Sequence, residues 1–187
     1  MQNFLKIAEN LNVLPLQMAL IRQPGLFGRR SARKDGYADS PHLAMSDIWV
    51  RYNHPDNLAK GMEVFNAEHD SVWYPEAAYI PEVRQIVMHL MALVGGERLG
   101  GVLITKVPPG GKIAPHIDRG WHAEYYDKYY VPIQNDDGAV FGFEDGVIAP
   151  RLGEAYWFYN GNPHWVENNS SRDRIAMIVC IRTHRGA

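Results

Sequence analysis

His116 and Asp118 stand two residues apart at the end of the stretch VLITKVPPGGKIAPHID, residues 102–118. On an extended segment, residues i and i+2 point to the same face. One imidazole and one carboxylate can therefore approach a single metal ion together. A second imidazole, His164, follows 48 positions later in Asn-Pro-His-Trp, and Arg174 opens an apolar run ten residues beyond it. Two neutral imidazoles and one carboxylate make the facial triad that grips Fe(II) from one side and leaves positions open to a co-substrate and O₂. His116, Asp118 and His164 are thus the candidate metal ligands and catalytic centre of a non-haem iron oxygenase.

Arg174 has a separate part. The run RIAMIVCI is apolar on both faces, as a central strand should be. An arginine entering such a strand needs a carboxylate partner, or it leaves a costly buried charge. A dicarboxylate co-substrate such as 2-oxoglutarate would supply one and pair with it bidentately. The competing reading puts Arg174 at an exposed strand end, bonded to Glu167 or Asp173, with Arg172 in the polar turn before it. His-x-Asp alone is a weak signal in a chain with eight histidines. It gains weight from Pro115, from the tight glycine turn before it and from the distal His with its trailing Arg. The remaining histidines fit poorly as ligands. His54 sits in a turn, His89 on a helix flank, and His69 and Asp70 are adjacent, so on a strand they point apart. A zinc hydrolase fits less well, because no Glu is placed as a general base beside His-x-Asp.

These side chains need elements to hold them. From Leu99 the chain reads as strands cut by turns, at 100–107, about 128–134, 138–143, 145–150, 154–159, 164–168 and 174–182. The turns Asn-Asp-Asp-Gly and Glu-Asp-Gly are hairpin signals. The pattern predicts a mainly β (α+β) fold, a double-stranded β-helix of the jelly-roll or cupin kind, with N-terminal and mid-chain helices packed on one sheet. We expect one domain over 1–187, with 1–98 supplying flanking helices, loops and an edge strand, and 99–184 the jelly-roll core. Residues 4–11 have helical spacing, and Pro15 breaks that helix or starts a second. Residues 22–42 read as a long surface loop whose basic cluster, Arg29, Arg30, Arg33 and Lys34, could touch an anionic substrate or simply be solvated. In DIWVRY, residues 47–52, strict alternation puts Ile48, Val50 and Tyr52 on one side and Trp49 and Arg51 on the other. The Trp and Arg would frame a substrate, or the Trp would cap the core from an edge strand. Pro81 opens a helix with Val83, Ile86, Val87, Leu90, Met91 and Val94 on one face, closed by Gly95-Gly96.

Bulk properties exclude several classes. Of 187 residues, 46% are hydrophobic and 21% charged, ordinary values for a globular protein. The net charge of −2 gives no reason to expect nucleic acid as an obligate partner. The single cysteine, Cys180, excludes an internal disulfide and a cysteine-based zinc site, and reads as a buried core thiol. No apolar run approaches the ~20 residues of a membrane span. The N-terminus lacks a signal-peptide pattern, so a cytoplasmic location is expected.

The segment 102–182 resembles the aspartyl/asparaginyl β-hydroxylase family of Fe(II)/2-oxoglutarate-dependent dioxygenases. The resemblance lies in VLITKVPPGGKIAPHID, NPHW and SRDRIAMIV, and it fades over the first hundred residues. The family's first His falls on His116, its distal His on His164, and its co-substrate arginine on Arg174. A hydroxyl residue eleven positions before the first His, which helps hold 2-oxoglutarate, falls on Thr105. Vertebrate members have glycine two residues after the first His; this chain has Asp118, which implies the fuller triad. The family's Arg-x-His in the following strand falls near Tyr126 and Lys128, a departure that leaves Lys128 as the candidate to neutralise a carboxylate. The resemblance implies hydroxylation of an amino-acid-like or peptidyl substrate, coupled to conversion of 2-oxoglutarate and O₂ to succinate and CO₂. Trp49, Arg51 and Tyr52, with Trp121 and His122, are candidate substrate residues. Two other readings share the fold: a cupin-type metalloprotein with isomerase or lyase activity, and a non-catalytic binding module.

Overall fold

The computed structural model describes residues 2–34 and 40–184. The chain begins with β1 (Phe4–Ala8), α1 (Leu14–Arg22), β2 (Ser46–Tyr52), α2 (Met62–Asn66), β3 (Val72–Trp73) and α3 (Val83–Leu93). The second half runs β4 (Gly96–Val107), β5 (Lys112–His116), α4 (Trp121–Tyr125), β6 (Asp127–Gln134), β7 (Ala139–Phe143), β8 (Gly146–Ile148), β9 (Ala155–Phe158), β10 (His164–Asn168) and β11 (Arg174–Thr183). A seven-stranded sheet has the order β1-β9-β6-β11-β4-β2-β3, and a four-stranded sheet the order β5-β10-β7-β8. From β4 onward the chain passes back and forth between the sheets, apart from the β7–β8 hairpin within the small one, and the described pairings are antiparallel. This is the jelly-roll that the turn spacing predicts.

Strand alternation sorts the side chains of the large sheet into two sets. Val102, Ile104, Val131, Ile133, Met177, Val179 and Ile181 face outward and pack against Leu16 and Leu20 of α1 and Val83, Val87 and Leu90 of α3. Burying such aliphatic side chains contributes roughly 1.5–3 kcal/mol each, so this layer anchors the wall on which the site is built. The inward set meets the small sheet through Tyr130, Phe141, Phe143, Phe158 and Val166. Gly95, at φ +62°, takes the left-handed turn that ends α3 and starts β4.

Three expectations are corrected. Residues 4–8 form a strand, not a helix, because backbone pairing with β9 outweighs weak local helical spacing. The strand over 47–52 is not an edge, because β3 pairs on its far side. Its alternation is broken by a bulge between Trp49 and Arg51, which turns Tyr52 to the same aromatic cluster as Trp49. Nor is 22–42 wholly a surface loop. Leu26 and Ala32 are buried, while the part at 35–39 lies outside the described residues.

Candidate metal centre and co-substrate cavity

The two histidines reach each other because their strands pair: His164, first residue of β10, is the register partner of His116, last residue of β5. That register is pinned by the Pro-Gly turn. Gly110 N–H donates to Asn168 O (2.7 Å) and Asn168 N–H to Gly111 O (3.0 Å). The fully buried Asn168 side chain donates to the carbonyls of Val107 (2.9 Å) and Arg172 (2.8 Å). Just past β5, Asp118 N–H donates to Asn160 O (3.1 Å), which turns the Asp118 carboxylate back under the histidines.

The three side chains converge. One ligand atom from each of His116, Asp118 and His164 lies within 4.8 Å of the others. His164 Nε2 is 3.5 Å from Asp118 Oδ2, and His116 Nε2 is 3.9 Å from Asp118 Oδ1. Each histidine donates Nδ1–H to a nearby carbonyl, His116 to Ala114 (2.8 Å) and His164 to Asn162 (2.9 Å). That assignment leaves both Nε2 lone pairs turned toward the carboxylate, as second-shell carbonyls do for metal-bound imidazoles. Burial lowers both histidine pKa values, that of His164 to about 4, so the rings are neutral at pH 7. Burial works to raise Asp118, but the Lys128 ammonium and the nearby histidines hold its carboxyl well below the usual range. Two neutral nitrogen donors and one ionised oxygen donor suit a divalent cation of the Fe(II) kind.

A cavity of about 650 Å³ opens over these residues between the two sheets. Arg174 enters it from the start of β11, 2% exposed. Its Nη2 donates to Tyr130 Oη (3.0 Å), and its Nε has no partner. Among the described residues it forms no ion pair, so neither Glu167 nor Asp173 neutralises it. A buried guanidinium that faces a cavity and has no acid partner among the described residues fits a carboxylate ligand. Tyr130 Oη, having accepted from Arg174, keeps its own proton to donate, and burial raises its pKa. Thr105 lines the same cavity, but its hydroxyl proton goes to Asp47 Oδ1 (2.8 Å).

Other expected residues divide. Trp49 and Tyr52 line the cavity, as does His122, whose Nε2 accepts from Gly101 N–H (3.1 Å) and whose pKa burial lowers to about 3. Lys128 also lines it, but its ammonium lies 2.5 Å from Asp118 Oδ2. That contact ties it to the triad's carboxylate. Arg51 turns away after the bulge, donating to Leu99 O (3.3 Å) and lying over Trp73. Trp121 stacks on Tyr125 outside the cavity lining. Arg172 pairs with Asp136 at the surface, His54 bonds within its turn, and Asp70 pairs with Arg98.

Sequence reasoning missed Tyr130, His42, Asp47 and Asn168. Tyr130 had a signal, since it shares a strand face with Lys128 at i+2. His42 had none: its ring lies edge-on to His116 at 4.8 Å, across 74 residues of chain.

Two facing antiparallel sheets, with a His-x-Asp…His cluster that could hold a metal ion and a buried arginine without an acid partner among the described residues, define a double-stranded β-helix. A sequence profile of the aspartyl/asparaginyl beta-hydroxylase family matches residues 61–183, and the chain belongs to that family. No curated protein matches the chain. Solved structures share its fold. A viral collagen prolyl hydroxylase from Paramecium Bursaria Chlorella virus-1, in complex with 2OG, is 13% identical with a TM-score of 0.57, over 98% of this chain and 97% of that one. A prolyl-4-hydroxylase from Pseudomonas putida is 16% identical (TM-score 0.53), over 98% and 94% of the two chains. A Trichoplax adhaerens prolyl hydroxylase, in complex with a hypoxia inducible factor peptide fragment, is 13% identical (TM-score 0.58), over 96% and 83%.

Proposed function

We propose that this protein is an Fe(II)/2-oxoglutarate-dependent dioxygenase that hydroxylates an amino-acid-like or peptidyl substrate. The observation that carries the reading is the pairing, in one cavity, of three converging side chains that could hold a metal with a buried arginine that has no acid partner among the described residues. Family membership and the prolyl hydroxylase neighbours support it.

His116, Asp118 and His164 would hold the metal from one side, through Nε2, a carboxylate oxygen and Nε2. Bound Fe(II) with 2-oxoglutarate and O₂ supplies oxidative decarboxylation to succinate and CO₂ and the oxidising power for hydroxylation. Arg174 would receive the far carboxylate of 2-oxoglutarate, with Tyr130 donating a second hydrogen bond to it. Lys128 keeps Asp118 ionised and aimed at the histidines. Trp49 and Tyr52, buried in the cavity lining, would limit the water that reaches the reacting groups. A cavity of about 650 Å³ holds the co-substrate with room for an amino-acid side chain. One neighbour's complex with a peptide fragment supports a peptidyl substrate as well as a free one.

The test is succinate formation from 2-oxoglutarate with Fe(II), in the presence of amino-acid and peptide substrates. The reading expects metal-dependent succinate and a +16 mass shift in a substrate. Succinate formation that is unchanged in His164→Ala would contradict the assigned centre. Metal binding without 2-oxoglutarate binding would favour a cupin-type isomerase or lyase.

A further inference from the structure

α1 is apolar on every side. Leu16, Ala19 and Leu20 are buried against the large sheet. Leu14, Met18 and Ile21, at i, i+4 and i+7, share the opposite side and stand 58%, 44% and 60% exposed. Gln17 and Arg22 are its only polar side chains. A surface helix of a globular protein keeps one polar face, and a helix apolar all round belongs in an interior.

Neighbouring elements extend the patch. α1 packs over β6 and α3 over β4, with β11 between those strands. Strands two apart lie ~10 Å from each other, the spacing of packed helices. Arg22 at the end of α1 pairs with Glu82 just before α3 (3.4 Å). α3 adds Met88 and Leu93 to the outer surface, about half exposed. Leu5 adds to it from β1, since Ile7, two residues on, packs into the same outer layer. Half-exposed side chains of this size leave open on the order of 100 Å² each, so the six approach ~600 Å², the upper end for a monomer's apolar patch and most of the ~800 Å² per partner of a standard interface.

The charges narrow what covers this patch. α1 and α3 together carry two formal charges, Arg22 and Arg84. Glu82 pairs with the first, and the second lies over the Trp73 ring (4.8 Å). An anionic bilayer is drawn by lysines and arginines on the polar side of an apolar helix, and this face does not offer them. A two-fold copy of the same face meets no like charge, as a self-complementary interface requires. A cleft of about 170 Å³ beside Ile21, lined by Leu20, Phe27 and Ile133, forms a socket for an apolar side chain of the other copy.

We propose that α1 and α3 form the interface of a two-fold homodimer. The interface lies on the opposite face of the large sheet from the metal centre, so both cavities stay open. The proposal stands apart from the dioxygenase reading.

The experiment is sedimentation velocity of the whole chain from about 1 to 100 μM, the range that resolves a micromolar dissociation constant. We expect a species of twice the 21.2 kDa chain mass. Met18→Glu and Leu93→Glu, both at exposed positions, should raise the dimer dissociation constant about tenfold or more, by setting a charge in the apolar centre of the contact. Their Tm and Mn(II) affinity should match the wild type. Met18→Gln, which adds no charge, should weaken the dimer less and guards against misfolding of the Glu variants. Val147→Glu, equally exposed but on β8 of the small sheet, should leave the dimer intact. Pelleting with phosphatidylcholine/phosphatidylglycerol vesicles runs alongside, and the chain should stay in the supernatant. A monomer throughout, a dimer that neither Met18→Glu nor Leu93→Glu weakens, or a dimer that Val147→Glu disrupts as strongly would each overturn the proposal. A monomer that pellets with the vesicles would also overturn it and give the face to a bilayer.

Discussion

Arg174 and its neighbours make the residue-scale argument testable one hydroxyl at a time. Replacing Arg174 by Ala should raise the Kd for 2-oxoglutarate about 10- to 100-fold, since a hydrogen bond to a charged group contributes ~1.5–3 kcal/mol. Tyr130→Phe should weaken it about 3- to 10-fold, the effect of ~0.5–1.5 kcal/mol for one hydroxyl donor. Thr105→Ala should change it less, because that proton is given to Asp47. Calorimetry with Mn(II) ranks the three, and a larger effect at Thr105 than at Tyr130 would reverse the assignment. Cys180 gives a pH-dependent readout. Burial pushes its thiol up to about 11. A raised thiol pKa means the folded chain keeps its proton between the unfolded value of ~8.5 and about 11. Alkylation by iodoacetamide at pH 8 should therefore be at least tenfold slower folded than in urea, and comparable rates would show the thiol exposed.

At the scale of elements, the site depends on β5 and β10 keeping their register. Gly142 on β7 pairs with Trp165 beside His164, and a Cβ at 142 would meet the indole ring at 2.1 Å. Gly142→Ala should destabilise the fold by ~1–3 kcal/mol, as overpacking does, and lower Tm by about 2–12 °C. An unchanged Tm would mean the indole is free to move. Strands and turns after Leu99 were legible because Asn-Asp-Asp-Gly, Glu-Asp-Gly and period-two alternation are local signals. His116, Asp118, His164 and Arg174 were legible as a group because each carries a short-range pattern: His-x-Asp after a glycine turn, Pro-His, and an arginine heading an apolar strand. What stayed hidden is long-range. The β1 pairing depends on β9, 150 residues on. The bulge that turns Arg51 away and brings Tyr52 in depends on β4. Arg33 and His42 reach the cavity from a segment with no period.

Across the whole molecule, the jelly-roll brings ligands from distant parts of the chain into one place only when folded. Anything bound there adds stability by mass action. At a hundredfold excess over Kd this is ~2.7 kcal/mol, or about 5–11 °C in Tm for a chain of this size. Mn(II) alone should raise Tm, Mn(II) with 2-oxoglutarate should raise it further, and Arg174→Ala should lose only the second increment. Equal increments in that variant would place 2-oxoglutarate elsewhere. The most direct measurement is an anaerobic titration of the wild-type chain with Fe(II) and 2-oxoglutarate, followed by visible absorption. A weak charge-transfer band that needs both components, saturates at one Fe(II) per chain and is missing in His164→Ala is the predicted result. No band in the wild type, or the same band in His164→Ala, would contradict the account.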